Sequence, residues 1–421
     1  MHFKIVRAQE PFPKEVIKSI FLLGPIPRLA TTMYLSWKAE VYRILEELGY
    51  DGIVYDPEHK SAPDQREVDY NGAAQIKWEV EALYRADLIV AWIPRQFPDM
   101  PALTSNIEMG EWFKSGKMLL GYPQGTERMG YITFRGTEWL AEAYRWEVPV
   151  YHSLVAMLQA ALARLGAGAL RHGSETAGPL EIWQDKTFQS WYCSQQLGGH
   201  RLEDFRVEYV YYRKSDDDGR PKRRVWAIRP KVRVAGEGRI KDNELVIGRP
   251  AVVSVLMYFP HGDYVTDWRI VLVKEFRSAV MNHRGTIYEL PGGSIEPLDG
   301  THDEKTILLS AMREVEEEVG LKLDASRMIA SDARQTMATL VACDNHLFFY
   351  ELDQWEIKKL RSLAAKESSG QIKDNAESTI CQIVTVGEAI SNDCAIPLDW
   401  VNMGMVMKLF AQSMVCCVRR H

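Results

Sequence analysis

Three glutamates on one predicted helix are the residues whose types and spacing point most directly to chemistry. In the run Arg313-Glu314-Val315-Glu316-Glu317-Glu318-Val319-Gly320-Leu321, the residues Glu314, Glu317 and Glu318 stand at i, i+3 and i+4 and share one helical face. Like charges at this spacing repel each other, so the pattern favours a divalent cation between them. Carboxylate oxygens suit Mg²⁺ or Mn²⁺, which can bridge the phosphates of a substrate and activate a water molecule.

The opposite face of this helix is apolar and is predicted to be buried. Its residues are Leu308, Ala311, Met312, Val315 and Val319. A solvated acidic helix is the competing interpretation of so many glutamates. The metal site is favoured by Arg313 before the run, by Gly320-Leu321 after it and by Pro291-Gly292-Gly293 upstream.

The run resembles the second half of the Nudix hydrolase signature, Arg-Glu-apolar-x-Glu-Glu-x-Gly-apolar, at every defined position. The resemblance implies that Glu314, Glu317 and Glu318 bind the metal, that Glu317 is also catalytic and that Arg313 orients the acidic cluster. The first half departs from the pattern, because Gly293 is further from Arg313 than in the family and Lys305 stands where the family has Glu. We interpret residues 297–304 as a loop insertion, with Asp303 or Glu304 near the start of the helix.

Two further residues match the Nudix branch that acts on ADP-ribose and related nucleotide sugars. Arg277 follows a predicted strand, 270–276, and Glu289 precedes the Pro-Gly element. The resemblance implies that both bind substrate, and Glu377 is a candidate for a late acid. The predicted neighbours are strands at 251–259 and 346–352 and an amphipathic helix at 403–416.

The N-terminal part of the chain alternates short apolar runs with helical patterns, which predicts a parallel sheet covered on both faces. Strands are predicted at 19–23, 52–55, 87–93, 117–121 and 148–151, and helices at 33–48, 72–85, 105–115, 136–144 and 153–165. Ligands of such sheets bind beyond the carboxyl ends of the strands. Gly24 to Arg28, Asp56 to Glu58, Ile93 to Arg95 and Tyr122-Pro123 are therefore candidate binding segments.

Glu108 falls near the start of a predicted helix on the same edge. A carboxylate at that position can have the purely structural role of interacting favourably with the helix dipole. However, the order of Phe21 to Arg28, Gln75 to Glu79, Ala86 to Val90 and Ser105-Asn106-Ile107-Glu108-Met109-Gly110 resembles the nucleoside 2-deoxyribosyltransferase-like family over about residues 18–165. That family includes transferases and nucleotide N-glycosidases with a flavodoxin-like fold.

The resemblance implies that Glu108 attacks the anomeric carbon of the sugar and forms a glycosyl ester. It also implies substrate-binding roles for Gly24, Arg28, Asp56 and Ser105, with Arg28 holding the sugar or a 5′-phosphate. Ala102 stands where typical members carry Asp or Ser, and Asp99 is a candidate substitute. Because the family often completes its site across subunits, a homo-oligomer is among the implied partners.

The composition sets outer limits on function. The chain has 421 residues, 46% apolar and 26% charged, with a net charge of −6. This acidic balance argues against non-specific nucleic-acid binding, which depends on basic side chains. No signal peptide and no membrane-length apolar run is visible, so a cytoplasmic protein is expected. The six cysteines show no pairing typical of zinc or disulfide frameworks.

The predicted organisation is α/β throughout. Residues 1–172 are predicted to form a flavodoxin- or Rossmann-like domain with helices on both faces of a parallel sheet. Residues 173–205 are predicted to be a linker. Residues 206–421 are predicted to form an α/β/α Nudix domain with a mixed sheet, which begins with a hairpin around Asp216 to Gly219. The predicted function is bifunctional: metal-dependent hydrolysis of a nucleoside diphosphate linked to another group, plus cleavage or transfer of an N-glycosidic bond. The alternative is that one domain is a catalytically silent nucleotide sensor that regulates the other.

Overall fold

The computed structural model describes residues 2–25, 36–58, 72–98, 100–144, 146–214, 221–295, 303–367, 380–391 and 396–418. Contacts divide the chain into two compact units, Met1–Arg249 and Pro250–His421. The segment 173–205, predicted to be a linker, contains helices and belongs to the first unit by its contacts. The domain limits given above remain a prediction.

The first unit consists of twelve strands and eight α-helices in the part of the chain that is described. The strands are β1 Lys4–Arg7, β2 Glu15–Val16, β3 Ser19–Leu23, β4 Ile53–Asp56, β5 Leu88–Trp92, β6 Met118–Gly121, β7 Val150–Tyr151, β8 Arg171–His172, β9 Arg201–Lys214, β10 Pro221–Arg233, β11 Ile240–Lys241 and β12 Val246–Gly248. The helices are α1 Trp37–Glu47, α2 Gly72–Arg85, α3 Leu103–Trp112, α4 Gly130–Gly136, α5 Glu138–Tyr144, α6 Leu154–Leu165, α7 Leu180–Trp183 and α8 Lys186–Leu197. Short 3₁₀ turns lie at Phe113–Ser115 and Gly173–Ala177.

The main sheet of this unit is parallel, in the order β1-β4-β3-β5-β6-β7. The five strands after β1 follow the flavodoxin-like order, with β3 as the first strand and β4 beside it. Alternate residues along β3 and β5 face two separate cores. One core packs against α2, α3 and α4, and the other against α1 and α6. The predicted sheet with helices on both faces is confirmed.

One local difference from the sequence prediction has a clear cause. The helix predicted at 136–144 is observed as α5, Glu138–Tyr144, and is preceded by α4, Gly130–Gly136, which was not predicted; Thr137 between them leaves helical geometry with φ −113° and ψ −90°. Its hydroxyl donates to the carbonyl of Thr133 at 2.8 Å, a local bond that competes with the helical ladder. The predicted hairpin is confirmed as β9 paired with β10, and its tip lies outside the described residues.

The second unit contains a mixed sheet. Its strands are β13 Val252–Phe259, β14 Arg269–Phe276, β15 Thr286–Glu289, β16 Gly292–Ser294, β17 Ile329–Ala330, β18 Arg334–Met337, β19 Val341–Glu351 and β20 Ile380–Thr385. Its helices are α9 Glu304–Val319, α10 Gln354–Glu367, α11 Val386–Ile390 and α12 Trp400–Val418, with 3₁₀ turns at Val265–Asp267 and Ala325–Arg327. β13 runs parallel to β19 and antiparallel to β14 and β16. α9 and α10 pack on one face, and α11 and α12 on the other.

Helix α9 begins and ends as the sequence indicates. Asp303 caps it by accepting from the backbone N–H of Thr306 at 2.7 Å, and Gly320 ends it with φ +72°, which glycine adopts without strain. Ile307, Ala311, Val315 and Val319 are buried. The apolar face therefore docks against the sheet, while Glu316 and Glu317 are exposed and Glu314 and Glu318 are half-buried beside β16.

Candidate active sites

The carboxyl ends of β3, β4 and β5 meet at one edge of the parallel sheet, and most of the predicted N-terminal site residues lie there. Gly24 follows β3, Asp56 ends β4, and Ser105 and Glu108 belong to α3, which follows β5. Arg28, Asp99 and Glu377 lie outside the described residues. The structure thus brings four of the five predicted N-terminal residues to the edge where ligands of such sheets bind.

Asp56 is completely buried and its two carboxylate oxygens are fully occupied. Lys38 donates to Oδ1 at 2.7 Å, Arg7 to Oδ2 at 2.8 Å, and the hydroxyl of Tyr42 also donates to Oδ2. Burial by itself raises the pKa of Asp56, but the charge and hydrogen bond of Lys38, together with the hydrogen bonds from Tyr42 and the N–H of Glu58, outweigh it, so the pKa lies below its ordinary value. Asp56 is therefore a fixed anion that anchors Lys38 at the site.

Close packing explains why residue 24 is a glycine. A Cβ on this residue would lie 2.2 Å from the carbonyl oxygen of Trp92 and 2.7 Å from the ring of Trp37. The indole N–H of Trp37 donates to the carbonyl of Pro25 at 3.0 Å, which fixes the chain as it leaves β3. Any larger side chain would displace both aromatic residues.

Glu108 is half-buried in the second turn of α3. Its pKa is raised to about 8, first by burial and then by the negative charge of Glu79, while the positive charge of Lys38 opposes the rise. Glu79 on α2 accepts from the amide of Gln75 at 2.6 Å. Two carboxyl groups and one buried ammonium therefore act on each other at this edge.

Lys38 and Glu79 were not among the predicted site residues. Glu79 belongs to the motif Gln75 to Glu79, and its i, i+4 spacing from Gln75 in a predicted helix was the one feature that indicated an interaction between these two side chains. Lys38 gave no signal, because a lysine in a predicted helix is normally solvated, whereas here only 1% of the residue is exposed.

The start of α3 is unusual. Ala102 precedes the helix in the left-handed region, with φ +55°, and offers no side-chain cap. Ser105 is buried in the first turn. Ala102 therefore contributes no polar side chain to this edge.

The predicted metal-binding residues of the second unit lie where α9 faces β16. Gly292 donates its N–H to Oε2 of Glu318 at 3.0 Å. A Cβ on Gly293 would lie 2.4 Å from Oε2 of Glu314, so only glycine leaves room for that carboxylate. Arg313 donates to the other oxygen of Glu314 at 2.8 Å. Two of the three glutamates thus converge on the glycine pair.

Glu318 is in an unfavourable environment for a negative charge. Burial raises its pKa to about 8, and Glu314 and Glu275 add to the rise, although the N–H of Gly292 and the charge of Arg277 oppose it. Such accumulation of carboxylates is relieved by a cation. The donor chemistry of Glu314 and Glu318 fits a hard divalent ion.

Glu317 differs from its two neighbours because its side chain is exposed. Among the described residues, no group of three or more acidic, histidine or cysteine side chains is already arranged to hold an ion. The set of three glutamates therefore remains a prediction, of which two members are gathered at the glycine pair.

Arg277 and Glu289, predicted to bind substrate, form an ion pair. The Nε and Nη2 atoms of Arg277 donate to Oε2 of Glu289 at 3.0 and 2.7 Å, and Nη2 also lies 2.7 Å from Glu275. Burial lowers the pKa of Arg277, but the bond to Glu289 and the charges of Glu275 and Glu318 raise it overall. Arg277 thus provides positive charge beside Glu318.

Family models match both units. Residues 248–389 match the NUDIX domain, and residues 17–126 match the family described as nucleoside 2-deoxyribosyltransferase like. The chain joins a nucleoside 2-deoxyribosyltransferase-like domain to a Nudix domain. No curated protein matches it.

The two matches cover all the predicted site residues. Gly24, Arg28, Asp56, Ser105 and Glu108 fall within the transferase-like match, and Arg277, Glu289 and the α9 residues within the Nudix match. At the level of these families the chain is a nucleotide-processing hydrolase, and Nudix domains generally use divalent ions such as Mg²⁺ or Mn²⁺. Among the described helices, none has the length and apolar character needed to cross a membrane.

Proposed function

We propose that this protein is a bifunctional enzyme that hydrolyses the pyrophosphate of a nucleoside diphosphate derivative and cleaves an N-glycosidic bond of a nucleotide. The observation that carries the proposal is that each unit holds a glutamate whose pKa is raised to about 8, in the region where its family match predicts chemistry. Carboxyl groups perturbed in this way are typical of functional sites.

In the first unit, Glu108 acts as the nucleophile. Its carboxylate forms a bond to the anomeric carbon while the bond from that carbon to the base nitrogen breaks, and the departing base takes a proton from Glu79. Water then hydrolyses the glycosyl ester and restores both carboxyl groups. The negative charge of Glu79 raises the pKa of Glu108, so the two carboxyl groups oppose each other's ionisation, as is typical of paired carboxyl groups with separate acid and nucleophile roles.

Lys38 supports this chemistry through its charge. A buried ammonium held by Asp56 lowers the pKa of Glu108 against the effect of burial. It therefore favours the ionised nucleophile, while burial and the neighbouring carboxylates keep the pKa of Glu108 raised to about 8.

In the second unit, Glu314 and Glu318, together with Glu317, would hold the divalent ion. A bound Mg²⁺ or Mn²⁺ supplies neutralisation of the pyrophosphate charge and a water of lowered pKa. Arg313 fixes one oxygen of Glu314, the N–H of Gly292 fixes one oxygen of Glu318, and Arg277 contributes positive charge beside them. These contacts orient the carboxylates before substrate arrives.

The two reactions form a sequence, in which the Nudix domain releases a nucleoside monophosphate and the first unit removes its base. Product analysis by mass spectrometry tests this, using the purified chain with Mg²⁺, ADP-ribose, NAD and deoxynucleoside mono- and triphosphates. Wild type should give a monophosphate that Glu317→Gln loses and a free base that Glu108→Gln loses. Absence of both products from every substrate would refute the proposal.

A silent first unit is the second candidate, and Ala102 favours it. Because Ala102 offers no side chain where related sequences carry a polar one, this unit would bind a nucleotide without cleaving it. The same assay separates the two: a sensor releases no base, binds the nucleotide and keeps that binding in Glu108→Gln.

A further inference from the structure

A cavity of about 250 Å³ lies within the first unit, apart from the candidate site. Its walls come from the last turns of α2 and α3, the segment between α3 and β6, the start of α7 and the middle of β9. Because α2 and α3 each end shortly before a strand of the parallel sheet begins, the cavity lies at the edge opposite to the carboxyl ends of those strands. The four described site residues of this unit, Gly24, Asp56, Ser105 and Glu108, are not among its lining residues.

Apolar and aromatic side chains form much of the wall, among them Tyr84, Trp112, Ile182, Val207, Tyr209 and Val210. Two of the rings already lie beside cations of the protein. The guanidinium carbon of Arg206 lies 4.5 Å from the ring centroid of Tyr84, and Nζ of Lys117 lies 4.7 Å from that of Trp112. Tyr209 is 46% exposed, so its ring is accessible. Aromatic faces attract cations, and the wall therefore suits a cation with an apolar body.

Three carboxylates from separate elements also line the cavity: Glu111 of α3, Glu181 of α7 and Glu208 of β9. One arginine lies 3.6 Å from Glu181, and another lies 3.1 Å from Glu208. Within the part of the chain that the structure describes, Glu111 forms no ion pair. The ends of α2 and α3 add the negative partial charge of a helix C-terminus. The charge of the walls therefore favours a positive ligand.

The two lysines of the wall do not cancel this charge. Nζ of Lys117 donates to three backbone carbonyls at the end of α2 and just after it, at 2.6, 3.1 and 3.0 Å. Burial lowers the pKa of Lys117 to about 7, so much of its charge is absent near neutral pH. The ammonium group of Lys114 lies 5.4 and 5.1 Å from the ring centroids of Trp139 and Tyr144, which do not line the cavity. An excess of negative charge therefore remains at the cavity.

We propose that this cavity is a binding site for a small organic ammonium ion, whose apolar groups contact Trp112 and Tyr209 and whose charge is balanced by Glu111. An aromatic wall beside a carboxylate favours an alkylated ammonium group over a neutral or anionic molecule of the same shape. Binding at this site does not depend on the proposed N-glycosidic activity.

Glu111 also connects the cavity to the candidate nucleophile. Glu108 and Glu111 stand at i and i+3 of α3 and so share one face of the helix. The negative charge of Glu111 is one of the effects that raise the pKa of Glu108. A cation bound beside Glu111 opposes this effect, so the ligand should favour the ionised nucleophile. This consequence, unlike the binding itself, rests on the proposed activity of Glu108.

Isothermal titration calorimetry of the full chain with choline tests the site. Choline carries a trimethylammonium group, and 3,3-dimethylbutan-1-ol has the same shape with carbon in place of the charged nitrogen. Wild type should bind choline at one site and at least about tenfold more tightly than the alcohol. Absence of saturable choline binding, or equal affinity for the two compounds, would overturn the proposal.

Matched variants assign the binding to the cavity. Glu111→Gln and Tyr209→Leu should each weaken choline binding about threefold or more, because each removes one group that attracts the cation. The controls are Glu142→Gln on α5 and Tyr211→Leu on β9, which change exposed side chains outside the lining and should bind choline as the wild type does. Circular dichroism checks that all four variants are folded. A cavity variant with unchanged affinity, or a control weakened as much, contradicts the assignment.

The pH profile of base release tests the connection to Glu108. Saturating choline should move the acidic limb of kcat/KM, which reports ionisation of the nucleophile, to lower pH in the wild type and not in Glu111→Gln. If base is released but the limb does not move, the connection is wrong and the proposed activity stands. If no base is released at all, the proposed activity is wrong, and the calorimetry still decides whether the cavity binds the ammonium ion.

Discussion

The two candidate sites raise the pKa of a glutamate to the same value, about 8, but differ in how they hold the cation that opposes the rise. Around Glu108 the protein supplies the balancing charge itself, through Lys38 fixed on the buried Asp56. Two other carboxylates raise the pKa at each site, Glu79 and Glu111 at the first and Glu314 and Glu275 at the second, but the cation beside Glu318 is the exposed Arg277, which is paired with Glu289. A nucleophilic carboxylate needs its own permanent cation, whereas a metal site leaves the negative charge to be balanced by the ion. The difference predicts distinct responses to mutation.

Removal of the nucleophile should have the largest effect. Glu108→Gln is expected to lower base release by about 10³-fold or more, because the amide cannot form the glycosyl ester. Cleavage of the phosphoanhydride should be unchanged, as measured by chromatography of both product classes. Glu142→Gln, an exposed change on α5, is the control and should affect neither reaction. If Glu108→Gln lost both products equally, the two sites would not catalyse separate reactions.

Removal of a carboxylate at the glycine pair should cost somewhat less. Glu314→Gln and Glu318→Gln are each expected to reduce phosphoanhydride cleavage by about 10²–10³-fold, since stabilisation by a bound ion is worth several kcal/mol. Both should raise the Mg²⁺ concentration needed for half-maximal activity.

Glu316→Gln is the matched control for this pair. Glu316 lies on the same helix, is exposed and lies 3.2 Å from Lys322. Its substitution should leave activity and metal dependence as in the wild type. If Glu316→Gln impairs catalysis as strongly as Glu318→Gln does, then contact with Gly292 and Gly293 does not distinguish the metal-binding glutamates from the others.

Lys38→Met tests whether the first site depends on its internal cation. It leaves the completely buried Asp56 with only Arg7 and Tyr42 as side-chain donors, so the free energy of unfolding of the first unit should fall by about 3 kcal/mol. Urea unfolding followed by circular dichroism measures this. The double variant Lys38→Met/Asp56→Asn removes the stranded charge and should recover part of the loss. No recovery would mean that packing, and not charge, explains the effect.

The pH dependence of stability tests the raised pKa of Glu108 directly. The pKa of Glu108 rises from an ordinary 4.5 to about 8 in the folded chain, so the folded state binds its proton more tightly. Its stabilising contribution is therefore complete below pH 4.5 and is lost as the pH rises through about 8. As the pH rises over this range, the melting temperature of Glu108→Gln should therefore increase relative to that of the wild type. A constant difference would contradict the raised pKa.

Local rules were sufficient for much of the fold. The alternation of apolar runs and helical patterns predicted the strands at β3 and β5 and the helix α2 at its observed bounds or within a residue of them. The family resemblance pointed to the same parallel sheet. Helix α4 was not predicted, and the predicted start of α5 at Gly136 was two residues too early, because the turn at Thr137 includes a side-chain bond to a neighbouring carbonyl that hydrophobic period does not encode.

By itself, the sequence determined the two family matches, the α9 face that carries the glutamates and the strand ends where the first site lies, because periodicity and short motifs act over a few residues. Only the tertiary structure decided that Lys38 is buried on Asp56, that Glu79 acts on Glu108 and that Glu111 and Tyr209 line one cavity. These relations join side chains from different strands and helices. Their energies depend on burial and distance, which no local pattern encodes.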